Sequence, residues 1–236
     1  MTTNIFITRW HHVFTQPFFL IRKGIKNKIE ILSKRLSGNI LDFGCGAKPY
    51  AQYFTHADEY MGLDIEKSGH IHTDEQIDVY YDGKVIPFDE NHFDAVFSSE
   101  VFEHIFNLEE VLTEIQRVLK PGGKLLFTCP FAWPEHEVPY DFARYSSFGI
   151  KAVIERNGFK VVEQHKTGNF FEVIMQYWIF YIFCFLPKKP SILYYILHQV
   201  FILPSLVFTI FISFLLPKKM KRKDLYFNNI LLVEKI

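Results

Sequence analysis

From residue 173 to residue 223 the sequence contains no aspartate or glutamate, although the chain of 236 residues balances 26 basic against 26 acidic side chains. That span holds Lys188, Lys189, Lys218, Lys219, Lys221, Arg222 and Lys223, so the remainder carries 19 basic and 26 acidic residues, a net of about −7. Cations gathered in a greasy stretch, rather than beside the motifs described below, argue against nucleic acid as a partner. Cysteine is scarce as well. Cys45, Cys129 and Cys184 are an odd set without metal-ligand spacing, which excludes a disulfide framework and suits a reducing compartment. His70-x-His72 lacks a third ligand, so these histidines are expected at the surface and no metal is expected. A secretory leader is not expected: Pro17 interrupts the short apolar run over 13–21, and no small-residue cleavage site follows.

What is present centres on residues 40–50, ILDFGCGAKPY. An apolar run into an acid and two closely spaced glycines reads as a buried parallel strand entering a tight turn against a ligand. Gly44 and Gly46 tolerate positive φ and let the backbone approach that ligand closely. The G-x-G-x-x-G fingerprint fails, because its third glycine would fall on Pro49, which has no N–H for a pyrophosphate. Asp42, two residues before the first glycine, suits a ligand with a cationic ammonium group. The alternative is an ordinary strand-to-helix turn.

Residues 1–24 are aromatic and basic without a clear period. Beyond them Ile25, Ile29, Leu32 and Leu36 form an amphipathic helix stripe, so 1–37 is expected as an N-terminal helical segment. Strands are predicted at 40–43, 60–63, 77–80, 93–97, 124–128, 159–163 and 225–235. Leu108, Val111, Leu112, Ile115, Val118 and Leu119 share a helix face, with Asn107 as the expected cap and Pro121-Gly122-Gly123 as the stop. Ser146 is expected to cap a helix reaching Asn157. Such alternation implies an α/β, doubly wound, parallel sheet, whose ligands bind beyond the carboxyl ends of the strands. Asp64 lies 20 residues after Gly44, where a carboxylate meets ribose hydroxyls. Asp82-Gly83 fits either an adenine amino group or a turn pair.

Together ILDFGCG, YMGLDIE, YYDGKVIPF, FDAVFSSEVFEHI and VLKPGG resemble class I S-adenosylmethionine-dependent methyltransferases of the type 11 group. The resemblance implies a Rossmann-like, mostly parallel seven-stranded sheet whose antiparallel last strand lies between the fifth and sixth, with 38–236 as the methyltransferase domain. It also implies S-adenosylmethionine as cofactor: Asp42, Gly44 and Gly46 at its methionine end, Asp64 at the ribose, Asp82 and Gly83 at the adenine, Ser98 and Ser99 on the floor. Lys48 stands where many relatives have a third glycine. GCGAKPY and PFAWPEHEVPYDFARYS look like a subset encoded with bacterial surface-polysaccharide enzymes. The segment 130–145 is the expected acceptor wall, with Trp133, Asp141, Arg144 and Tyr145 as substrate residues. His136 is the first candidate base and His104 the second; the alternatives are a solvated loop imidazole and an orienting or helix-starting residue.

Two apolar runs, 173–186 and 192–216, each end in Leu-Pro-Lys-Lys and form an apolar helical insert at about 170–224, between strands six and seven. A single crossing would strand the last sheet strand on the wrong side of a bilayer. The first run is too short to span, and Pro204 divides the second. The insert is therefore expected in one leaflet, its lysines at anionic headgroups on the cytoplasmic face; a buried dimer interface is the alternative, and homo-oligomerisation stays open. The expected function is methylation of a lipid-linked or glycan-type acceptor. The alternatives are a quinone carbon methyltransferase, which shares Glu103-His104, and a catalytically silent cofactor-binding module.

Overall fold

The computed structural model describes residues 10–65, 76–188 and 191–236, with side chains from His12 onward. His70, His72 and Lys189 lie outside the described residues. The chain divides into two units, one of residues 27–166 with 228–236 and one of residues 1–26 with 167–227. Among the described residues, 10–26 fall in the same unit as the late apolar stretch.

The larger unit is a seven-stranded sheet built from β1 (Gly38–Phe43), β2 (Ala57–Ile65), β3 (Val79–Tyr81), β4 (Phe93–Ser99), β5 (Leu119–Pro130), β6 (Phe159–Lys166) and β7 (Asn228–Lys235). Its order is β3-β2-β1-β4-β5-β7-β6, with the last strand between the fifth and sixth as the resemblance implies. The first five strands pair parallel, and β7 runs antiparallel between β5 and β6. β1 is an interior strand flanked by β2 and β4, and Ile40, Leu41 and Phe43 are buried, which is why it reads as a continuous apolar run.

Two helices besides α1 (Phe19–Leu32) frame this sheet in sequence: α2 (Leu108–Val118) and α3 (Ser147–Arg156). In α2 the expected face of Leu108, Val111, Leu112, Ile115 and Val118 is buried. Asn107 does not cap it through its side chain; its Nδ2 donates to Glu110 Oε1 at 3.1 Å instead. Ser146 does cap α3, its Oγ accepting from Gly149 N at 3.1 Å. β5 begins at Leu119, five residues before the expected start. Leu119 is already extended and pairs with Phe93, and the Pro-Gly-Gly stretch is absorbed as a register shift before Lys124.

The smaller unit contains α4 (Phe170–Cys184), α5 (Ile192–Leu197) and α6 (Leu203–Leu215). A π turn over His198–Ile202 joins α5 to α6, so Ile192–Leu215 is one helix of 24 residues. Pro204 therefore does not divide the second run, contrary to expectation. A proline ring crowds the carbonyl four residues back and offers it no N–H, and the widened turn just before Pro204 accommodates both effects. Asn169 caps α4, its Oδ1 accepting from Glu172 N, and its Nδ2 donates to Ser213 Oγ, which donates to Glu172 Oε1 at 2.5 Å. Ile179 meets Ile202 and Leu206 in a small core that includes Phe19. The start of α4 thus meets the end of α6 and their middles meet, an antiparallel pair.

Candidate functional site

The parallel strands end on one edge of the sheet, and there the glycine turn follows β1. Gly44 and Gly46 take left-handed conformations, φ +72° and +47°, and a Cβ on Gly44 would collide with the Val101 side chain. Lys48 is also left-handed, φ 47°, so the backbone keeps a glycine-like path without the third glycine. Its Nζ pairs with Asp78, whose Oδ2 also accepts from Gly62 N at 2.6 Å.

Asp42 is buried, and Tyr60 Oη donates to its Oδ2 at 2.7 Å. Burial pushes its pKa up to about 7, although the Tyr60 hydrogen bond pulls the other way. Asp64 accepts from Gly46 N at Oδ2 and from Ile65 N at Oδ1, each at 2.8 Å. It therefore ties the glycine turn to β2 and retains a lone pair on each oxygen for a ligand. Asp82 Oδ1 accepts from Lys84 N and Val85 N, the turn arrangement, and Gly83 is left-handed at φ +82°. Ser98 Oγ donates to the Phe43 carbonyl at 3.0 Å and is buried, so it binds β4 to β1 rather than offering a free hydroxyl. Ser99 Oγ shares a hydrogen with Thr128 Oγ1 at 3.0 Å.

Beyond β4 the structure brings together acids that the sequence reading did not select. Glu100 is held in a left-handed conformation, φ 56°. Its Oε1 accepts from Thr128 Oγ1 at 2.6 Å and its Oε2 from Asn228 Nδ2 at 2.7 Å. Glu103 is fully buried, and neither carboxylate oxygen has a hydrogen-bond partner. Burial raises both pKa values, and for Glu103 the nearby Glu100 carboxylate adds to the shift. No periodicity marks these residues. The segment after β5 lies against Glu103, whose carbonyl accepts from both Phe142 N and Ala143 N.

That segment is held by Arg144, which donates to Asp141 Oδ1 at 2.5 Å and Oδ2 at 2.6 Å and to the carbonyls of Trp133, Pro134 and Ala143. Burial acts to raise the Asp141 pKa, but hydrogen bonds from Arg144 and His136 N outweigh it and hold it at about 2. Both residues were expected to face the acceptor; their charges are instead spent on each other, shaping the wall. Tyr145 packs against the sheet core and its carbonyl accepts from Asn229 Nδ2. His104 and His136 meet with ring centroids 4.9 Å apart. His104 Nδ1 lies 2.6 Å from the Tyr140 carbonyl, which can only accept, so Nδ1 donates to it, and Nε2 lies 3.8 Å from Glu103 Oε1 and 3.6 Å from Glu137 Oε2. His136 Nδ1 lies 3.2 Å from Asp141 Oδ2. Burial, reinforced by His104, lowers the His136 pKa, so the ring is neutral near pH 7.

The family model described as "Methyltransferase domain" matches residues 41–127. Over 109 residues the chain is 33% identical to phthiotriol/phenolphthiotriol dimycocerosates methyltransferase 1 of Mycobacterium ulcerans, covering 42% of this chain and 39% of that one. It is 32% identical over 109 residues to a fatty-acid O-methyltransferase of Mycolicibacterium smegmatis, with the same two coverages, 42% and 39%. The chain thus spans well under half the length of these curated relatives. Phosphoethanolamine N-methyltransferase 2 of Haemonchus contortus, solved with phosphomonomethylethanolamine and S-adenosylhomocysteine, superposes with a TM-score of 0.54 at 21% identity, covering 89% of this chain and 52% of that one. Residues 41–127 thus match the methyltransferase domain model, and the sheet that holds them shares its fold with the solved methyltransferase.

Proposed function

We propose that this chain is an S-adenosylmethionine-dependent methyltransferase that works at a membrane surface on a hydroxyl of a glycan-type acceptor carried by a lipid. The observation that carries this is the convergence at one sheet edge of two left-handed glycines, the Asp42 and Asp64 carboxylates, and the polar cluster of Glu103, His104 and His136. Asp42 meets the donor's ammonium group, Asp64 its ribose hydroxyls, and the Gly44–Gly46 backbone lies along its methionine portion. The acceptor oxygen attacks the methyl carbon as the carbon–sulfur bond breaks, and the sulfur departs with the electron pair as a neutral thioether. The hydroxyl proton leaves by way of the polar cluster of Glu103, His104 and His136. The sulfonium is already a strong leaving group, so positioning and proton removal are the protein's tasks.

Apolar side chains beside the wall support a lipid-bearing acceptor: Phe106, Val138, Tyr140 and Phe142 are exposed, with the Phe106 and Phe142 rings 5.5 Å apart. In the insert Trp178, Tyr181 and Phe185 on α4, and Phe208, Phe211 and Phe214 on α6, are exposed as well. Lys166 and Asn229 pair across β6 and β7, so the insert leaves and re-enters the sheet at one point. The 24-residue helix is long enough to cross a bilayer. α4, at roughly 22 Å, cannot carry the chain back across a hydrocarbon core of about 30 Å. Insertion from the cytoplasmic face into one leaflet satisfies both constraints.

The test is transfer of a labelled methyl group from S-adenosylmethionine to bacterial membrane lipids by the purified protein. Label should appear in lipid-linked saccharide and be lost with Asp64→Ala. Label on a quinone ring would select the carbon methyltransferase, and cofactor binding without transfer to any fraction would mean a silent module.

A further inference from the structure

We infer that Glu103, His104 and His136 form a binding site for a divalent transition-metal cation, of which Zn(II) and Mn(II) are the probes, and that this cation holds the acceptor hydroxyl. One ligand atom from each of the three residues lies within 4.8 Å of the others. Bonds of roughly 2.0–2.2 Å require such atoms to close to about 3 Å, a movement of side chains alone. Two histidines and one carboxylate leave further coordination positions open, the arrangement of catalytic rather than structural sites.

Two features favour a cation over an ordinary polar cluster. Both Glu103 oxygens and His104 Nε2 are buried without a hydrogen-bond partner, and a buried carboxylate with no partner is costly unless a proton or a cation joins it. The Tyr140 carbonyl occupies Nδ1–H of His104 and so presents Nε2 to the cluster. His136 Nδ1 lies 3.3 Å from Arg144 Nη2 and 3.2 Å from Asp141 Oδ2, so this ring too is held from behind by a charged pair. A fourth donor stands close, since Glu137 Oε2 is 3.6 Å from His104 Nε2. The ligands come from two separate stretches, after β4 and after β5, so no short spacing in the sequence announces them.

Cation binding stands on geometry alone, whereas the role in catalysis rests on the methyltransferase reading. A hydroxyl on the cation loses its proton to water more readily, and its oxygen then takes the methyl carbon as the sulfonium sulfur leaves as a thioether. His136 is then a ligand instead of the proton acceptor.

Titration calorimetry with Zn(II) and electron paramagnetic resonance with Mn(II) on the full chain test this. Wild type should bind one equivalent, and His104→Ala, His136→Ala and Glu103→Gln should each weaken it by at least tenfold. The His56→Ala control should leave binding unchanged, and S-adenosylmethionine affinity should stay within about twofold in all four. Should a variant fold poorly, Mn(II) broadening of the His104 and His136 ring resonances in wild type gives the same answer. Absence of a stoichiometric site, or Mn(II) binding that survives loss of both histidines, overturns the inference. So does a His136→Ala protein that loses turnover with unchanged cation affinity, which would make His136 the base. Cation binding without cofactor binding would instead keep this site and overturn the methyltransferase reading.

Discussion

Asp42 sets a pH dependence of definite sign. Its folded pKa of about 7 lies above the model-peptide value of 3.8, so between those values the folded chain holds a proton that the unfolded chain has released. Stability of the cofactor-free protein should therefore fall as pH rises from about 4 to about 7, and Asp42→Asn should flatten that slope in thermal melts. Cofactor affinity should run the opposite way. A donor ammonium needs the ionised carboxylate, so binding below pH 7 must expel a proton, and the dissociation constant should rise by up to about tenfold per pH unit. Calorimetry in buffers of different ionisation enthalpy would report that proton. Asp64→Ala should weaken cofactor binding by a few kcal/mol, since hydrogen bonds to charged groups contribute roughly 1.5–3 kcal/mol each. Part of that loss belongs to the Gly46 turn that Asp64 anchors, so a slower association rate should accompany it. Arg144→Ala leaves Asp141, whose side chain is 4% exposed, as an uncompensated charge. The expected destabilisation is near the lower end of roughly 3–5 kcal/mol, because Arg144 itself is partly solvated, and Arg144→Lys should recover only part of it. At this scale the sequence made Asp42, Gly44, Gly46 and Asp64 legible, because a strand, an acid and two glycines are a local pattern. Glu100 and Glu103 were not legible, since their meaning lies in burial by residues some thirty positions away.

Elements were easier to read than their ends. β1, β4 and α2 follow from apolar runs and one-sided stripes that no other structure buries as well. The start of β5 was misplaced because Pro-Gly-Gly ordinarily signals a loop, and only the pairing of Leu119 with Phe93 reveals an extended chain there. Pro204 misled in the opposite sense, since a π turn is a tertiary accommodation that local rules do not anticipate. The helices of the insert give a prediction of their own. Wild type should float with anionic vesicles even at high salt, whereas combined Trp178→Ser, Phe208→Ser and Phe211→Ser should sediment as soluble protein. Each of these exposed side chains contributes roughly 1.5–3 kcal/mol when taken into lipid. A triple variant that still floats would move the contact to the lysines, which add only about 1 kcal/mol apiece.

For the whole molecule, the charge map and the topology agree. The acidic remainder of the chain carries the glycine and carboxylate motifs, and the stretch without acids carries a dense set of exposed aromatic residues, among them Trp178, Phe208, Phe211 and Phe214. Protease added to sealed vesicles bearing the protein should cut near Arg222–Lys223 only from the face that carries the sheet; cutting from the other face would mean a full crossing and would detach β7. The place of β7 also fixes an order of events. Its slot between β5 and β6 stays open until the insert has been made, and at roughly 5–20 residues per second that interval lasts about 3–12 s. During it two bare strand edges await a partner while the greasiest part of the chain emerges from the ribosome. If the insert binds a membrane as proposed, the bilayer meets it before the sheet exists to compete for it, and location is decided before the fold is closed.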